Sequence, residues 1–133
     1  MHIRGDARVR LHTVNMAFCN SVTDAAFVYL RGIHTLDMSS GLVGGNEKVT
    51  DAAFVHLRGI HTLNMSCCNQ NTITNAAFVN LRGIHTLDMS LCDQDTITGS
   101  TFTHLRGIRD LRVDACSATI KAAAAALLAL PAL

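Results

Sequence analysis

Ile60-His61-Thr62-Leu63-Asn64-Met65-Ser66-Cys67-Cys68 is followed, after a short polar stretch, by Ile73-Thr74-Asn75-Ala76-Ala77-Phe78-Val79-Asn80-Leu81-Arg82-Gly83, and close copies of both phrases recur along most of the 133-residue chain. Leu-Arg-Gly-Ile alone occurs four times, at 30–33, 57–60, 81–84 and 105–108, at intervals of 27, 24 and 24 residues. Self-similarity with a period of about 20–50 residues signals a stacked repeat architecture. The unit therefore has to be read before any single residue.

Aligned on the residue after the glycine, five segments read Leu11-x-x-Val14-x-Met16-x-x-Cys19, Ile33-x-x-Leu36-x-Met38-x-x-Gly41, Ile60-x-x-Leu63-x-Met65-x-x-Cys68, Ile84-x-x-Leu87-x-Met89-x-x-Cys92 and Ile108-x-x-Leu111-x-Val113-x-x-Cys116. Leu36 and Met38 alternate with Thr35, Asp37 and Ser39, so the period of two predicts a short strand with an apolar face inward and a small polar face in solvent. The second half of the unit, Val49-Thr50-Asp51-Ala52-Ala53-Phe54-Val55-His56-Leu57-Arg58-Gly59, has copies starting at Val22, Ile73 and Ile97 and predicts a short helix. Thr50 suits the N-cap, Asp51 puts negative charge in the first turn, Arg58 puts positive charge in the last, and Gly59 can adopt the left-handed terminating conformation. Ala53, Phe54 and Leu57 form the apolar stripe. So short a helix does not persist alone in water, and its stability has to come from its own strand and from the next unit.

All five segments match L-x-x-L-x-L-x-x-N/C, and the chain resembles the cysteine-containing subclass of leucine-rich repeat proteins, in which a cysteine follows the strand and an Ile-Thr-Asp-like cap opens the helix, as Cys68 and Ile73-Thr74-Asn75 do here. The resemblance covers about residues 9 to 120. It implies an α/β leucine-rich-repeat solenoid, a short horseshoe arc with a parallel β-sheet on the concave face and short helices on the convex face. The expected organisation is a single domain over 1–133 with repeats at about 9–32, 33–59, 60–83, 84–107 and 108–130. In that family, which includes the repeat domains of F-box-type substrate receptors, the arc serves protein recognition.

The formal net charge is +1 with both signs interspersed along the sequence, so neither a nucleic acid nor a membrane is expected as partner. Residues 1–8 contain no apolar run of the kind a secretory signal needs. The longest apolar stretch, 122–133, is too short to span a bilayer and contains Pro131. Five cysteines, an odd number with four at one repeat position, point to free thiols in the cytoplasm or nucleus rather than to a disulfide framework.

Cys19, Cys68, Cys92 and Cys116 should stack in a column, each filling a turn and donating a weak S–H bond to a neighbouring carbonyl. A row of thiols about 4.8 Å apart offers a metal no tetrahedral closure. His12, His34, His61 and His85 form a second column, ended by Arg109; a solvated rim is its plainest reading, with a pH switch or a metal site as alternatives. The exposed strand face carries the candidate binding residues Thr35, Asp37, Ser39, Thr62, Asn64, Ser66, Thr86, Asp88 and Ser90. They are small, and no aromatic anchor of the kind that dominates protein interfaces stands among them. The second unit has a glycine-rich loop at 41–48, three residues longer than its neighbours, which adds Asn46, Glu47 and Lys48 as candidates.

Catalysis needs a singular constellation, and here each His, Asp, Ser and Cys of interest is periodic. The expectation is no enzyme, no metal and no cofactor, but a non-enzymatic protein–protein interaction module or scaffold. The alternative is a structural protein that forms homo-oligomers through poorly capped apolar ends, because Ala124, Ala125 and Leu128 of the alanine-rich last segment take the register of Ala53, Phe54 and Leu57.

Overall fold

The computed structural model describes residues 11–41 and 44–130. The segment read for a secretory signal, residues 42 and 43 of the long loop, and Pro131 lie outside them. Five three-residue strands, β1 (Thr13–Asn15), β2 (Thr35–Asp37), β3 (Thr62–Asn64), β4 (Thr86–Asp88) and β5 (Asp110–Arg112), form one sheet. Every pairing is parallel and the order is β1-β2-β3-β4-β5. Register follows the repeat: Leu36 pairs with Leu63 and Leu63 with Leu87. Parallel strands need a crossover between them, and each unit's helical half supplies it.

Those halves are tighter than an α-helix. Only α1 (Asp51–Phe54) and α2 (Asn75–Phe78) make an α-helical turn, each running on into a 3-10 segment, Val55–Leu57 and Val79–Leu81. The first crossover, Asp24–Leu30, and the fourth, Gly99–His104, are 3-10 throughout. The difference follows the caps. The Thr50 and Thr74 hydroxyls accept from the Ala52 and Ala76 amides at 3.2 and 3.1 Å, whereas Thr23 and Thr98 make no such bond. An unanchored first turn relaxes to the i→i+3 pattern that short helices tolerate.

Leu-Arg-Gly-Ile is a type II turn. Arg58 has φ −58° and ψ 132°, Gly59 has φ +84°, and the Ile60 amide donates to the Leu57 carbonyl at 3.0 Å. Equivalent bonds join Ile33 to Leu30, Ile84 to Leu81 and Ile108 to Leu105. The third residue of such a turn needs positive φ, which is why glycine recurs there.

Between sheet and crossovers the apolar residues form one core. Leu36, Leu63 and Leu87, with Met38, Met65 and Met89, meet Phe27, Phe54, Phe78 and Phe102, and all are buried. The rings of Phe54 and Phe78 stack 6.5 Å apart, so the phenylalanines bridge successive units. Burying each such side chain contributes about 1.5–3 kcal/mol. At the ends of the sheet the column thins, because Val14 and Leu111 are only partly buried.

After β5 the chain enters α3 (Ala118–Leu128), capped by the Ser117 hydroxyl, which accepts from the Ile120 amide at 3.2 Å. The expected stripe of Ala124, Ala125 and Leu128 is corrected here. Ile120, Ala124 and Leu127 are the buried residues, while Ala125 is exposed and Leu128 is half-exposed at 50%. The i, i+4, i+7 spacing of that trio carries one face of a full α-helix, whereas the i, i+1, i+4 stripe suits the tighter crossovers. Among the described residues no helix is long and apolar enough to cross a membrane.

Candidate functional site

The solvent side of the sheet carries three of the expected columns side by side. Thr35, Thr62 and Thr86 pair across strands, as do Asp37, Asn64 and Asp88. Ser39 and Ser66 follow them. The middle column is preorganised from within: the Asp37 Oδ1 accepts from the Ser39 amide at 3.0 Å and its hydroxyl at 2.7 Å, and the Asn64 Oδ1 accepts the same pair from Ser66 at 3.0 and 2.7 Å. These Asx-type turns end each strand and hold the carboxylate or amide upright. Asp88 repeats the backbone half of the pattern, accepting from the Ser90 amide at 3.0 Å.

Ser90 breaks the column. It is only 9% exposed, and its hydroxyl accepts from the Asp114 amide at 3.1 Å, so it belongs to the joint between the fourth and fifth units rather than to a contact face. Asn46 also bonds to its neighbouring units. Its Nδ2 donates to the Val22 carbonyl at 2.9 Å, and its own carbonyl accepts from Gln70 Nε2 at 2.8 Å. Gln94 Nε2 continues the series by donating to the Cys68 and Gln70 carbonyls at 2.9 and 3.1 Å. Asn46, Gln70 and Gln94 are thus one interior ladder that satisfies loop carbonyls where no strand partner reaches them. Glu47 and Lys48 are exposed, but they lie in the loop leaving the sheet, apart from the strand columns.

Beside the strand face the histidines form a continuous stack. Successive rings of His12, His34, His61 and His85 lie 4.4, 4.4 and 4.5 Å apart at interplanar angles of 12–14°. Each Nδ1 hydrogen-bonds the hydroxyl of the next threonine, Thr13, Thr35, Thr62 or Thr86, at 2.7–2.9 Å. The threonine column is therefore engaged by the imidazoles as well as facing solvent. Parallel rings point their remaining nitrogens the same way, and among the described residues no group of three or more His, Cys, Asp or Glu is placed to hold a metal. The pKa of His61 lies below its ordinary 6.5, first because its neighbours desolvate it and then because protonated His34 and His85 would repel its charge.

The cysteine column sits beneath the turns on the other side. Cys68, Cys92 and Cys116 are buried and donate to the Met38, Met65 and Met89 carbonyls at 3.2, 3.2 and 3.3 Å. Burial pushes the Cys68 thiol up to about 12, and raises Cys92 and Cys116 as well. Cys19 departs from the expected column: it is exposed.

An aromatic residue absent from the sequence-based list stands at the end of the sheet. Phe18 is 66% exposed in the turn after β1, with φ +62°, and its ring covers Gly41, where a Cβ would come 2.7 Å from Phe18 Cδ1. Leu91, also half-exposed, takes the same left-handed position with φ +63°, as do Cys67 and Ala115. Non-glycine residues rarely adopt this conformation. The signal lay in the register, since all four occupy the place before the turn cysteine.

No protein-family model matches the chain, and no curated protein matches it.

Proposed function

We propose that the chain is a short leucine-rich-repeat solenoid of the cysteine-containing kind, acting as a non-enzymatic protein-interaction module. Its contact surface is the polar strand face, Thr35, Asp37, Ser39, Thr62, Asn64, Ser66, Thr86 and Asp88, which becomes the concave side of the arc, with Phe18 at one end and Glu47 and Lys48 beyond it. The observation that carries this reading is the locking of Asp37 and Asn64 by Ser39 and Ser66. Side chains held upright by their own turns lose little entropy on binding, which favours recognition over a merely solvated face. Phe18 supplies the aromatic anchor such a face needs. The periodic Asp, Ser and His groups support a binding role over a catalytic one, and free thiols used as buried donors fit a reducing cytoplasmic or nuclear setting.

The test is proximity labelling with the intact protein and with a variant carrying Asp37→Arg, Asn64→Arg and Asp88→Arg. Partners enriched by the intact chain should disappear with the variant while its circular dichroism is unchanged; an identical partner set from both proteins rules the strand face out. A second reading, self-association through α3, is favoured by the half-exposed Leu128 and Leu130. Light scattering that reports a monomer at high concentration removes it.

A further inference from the structure

The near-zero net charge conceals a segregation of sign. Four type II turns place Arg31, Arg58, Arg82 and Arg106 at the same corner of successive units, where a crossover returns to the sheet, and Arg109 follows in the histidine position of the fifth unit. No Asp or Glu falls on these four turns. The acidic residues among the described ones lie elsewhere: on the strands (Asp37, Asp88, Asp110), at crossover starts (Asp24, Asp51), and in the loops leaving the sheet (Glu47, Asp93, Asp95, Asp114).

Three of these arginines are held in line by partners other than carboxylates. Arg31 Nε donates to His56 Nδ1 at 3.1 Å, Arg58 Nε to Asn80 Oδ1 at 2.9 Å, and Arg82 Nη2 to His104 Nδ1 at 3.0 Å. Each of these three exposed side chains thus reaches the last turn of the next unit, and among the described residues none of them pairs with a carboxylate. A guanidinium restrained in this way forms two parallel bonds to an incoming carboxylate at reduced entropic cost.

We infer that this row, Arg31, Arg58, Arg82 and Arg106, is a docking site for an extended acidic segment of a partner protein. A row with one cation per unit matches a strand-like peptide whose carboxylates project at regular intervals. A long nucleic-acid backbone is disfavoured, because the rest of the surface carries Asp37, Asp88, Asp93, Asp95 and Asp114. A second copy of this chain is disfavoured as well. Asp24 and Asp51 are spent on Thr50 and Thr74, and the other carboxylates are spread over the strands and the loops leaving the sheet, with no row of one per unit to face four arginines. The site is separate from the strand face and stands or falls independently of it.

The experiment is fluorescence anisotropy with labelled octaglutamate and, in parallel, labelled octathymidylate, on the full chain at several salt concentrations. Octaglutamate should bind with an affinity that falls steeply with salt. Arg58→Glu with Arg82→Glu should weaken it at least tenfold, and Arg58→Gln with Arg82→Gln, which keeps an amide donor for Asn80 and thus protects folding, should weaken it severalfold and reduce the salt slope. Ser39→Ala with Ser66→Ala, on the strand face, should leave it within twofold. The inference is overturned by octaglutamate binding that survives both arginine pairs, by binding lost with the serine pair instead, by tighter binding of octathymidylate, by no binding at low salt, or by sedimentation showing that the row is occupied by a second copy.

Discussion

Cys92 and Gly41 occupy one place in the repeat and show what that place asks of a side chain. Cys92 is buried and donates to the Met65 carbonyl, whereas Gly41 has no side chain and lies under the Phe18 ring. Thiolates are the reactive form, and burial disfavours them. Cys68, Cys92 and Cys116 should therefore resist a thiol reagent at pH 8 for as long as the fold is intact, while Cys19 and Cys67 react at once. Titration with a chromogenic disulfide should count two fast thiols in buffer and five in denaturant. Three or more fast thiols in buffer would contradict the buried column. Periodicity alone made that column legible. It could not show that Cys19 is exposed, nor that Phe18 is turned outward by a left-handed backbone, because neither property belongs to the residue itself.

At the scale of elements, the crossovers are joined by a relay that the cap pattern only half disclosed. Asp51 sits in the first turn of α1, as the helix rule requires, yet its carboxylate reaches forward to the next unit: Oδ1 accepts from the Thr74 amide at 2.7 Å and Oδ2 from the Thr74 hydroxyl at 2.6 Å. Asp24 does the same for Thr50 at 2.7 and 2.6 Å, and Asn75 accepts from the Thr98 amide at 2.8 Å. Bonds to a charged acceptor contribute about 1.5–3 kcal/mol. Asp51→Ala should thus lower the unfolding free energy by about 2 kcal/mol, and Asp51→Asn by less than half of that, since Asn75 shows that an amide serves the same turn. Equal losses in urea unfolding would mean that the negative charge at the helix start, rather than the relay, is what matters.

The histidine stack makes its own prediction. A folded-state pKa below the unfolded value means that the unfolded chain binds the proton more readily, so stability is greatest above about pH 6.5 and is lost as the pH falls through that value. Urea midpoints should accordingly drop between about pH 7 and pH 5, and His61→Asn should flatten that slope. A variant as pH-sensitive as the parent would show that the carboxylates dominate instead. The sequence placed these histidines in a column; their stacking at 4.4 Å and their bonds to threonine come from the register of the sheet.

For the whole molecule, burial grades from the middle outward. Leu36, Leu63 and Leu87 are buried in β2, β3 and β4, but Val14 in β1 and Leu111 in β5 are only partly buried. In a stack whose units contact only their neighbours, the terminal ones open first. Hydrogen exchange should therefore protect the Met65 amide, which donates to the Asp88 carbonyl at 2.8 Å, far longer than the Met16 amide, which donates to the Asp37 carbonyl over the same distance. Equal protection would mean that the units unfold together.

The repeat, the strand positions, the inward leucines and methionines, the Thr50 cap and the glycine of each turn follow from the sequence itself, because each is a local property: a period of two, a hydroxyl before a helix, a residue free to take positive φ. What the sequence does not disclose involves two units at once. Ser90 and Asn46 bond to neighbouring units, Phe18 is exposed, and the arginines of the four turns share one edge. Such properties depend on what the neighbouring unit places opposite a side chain, and only the stacking of strands in register decides that.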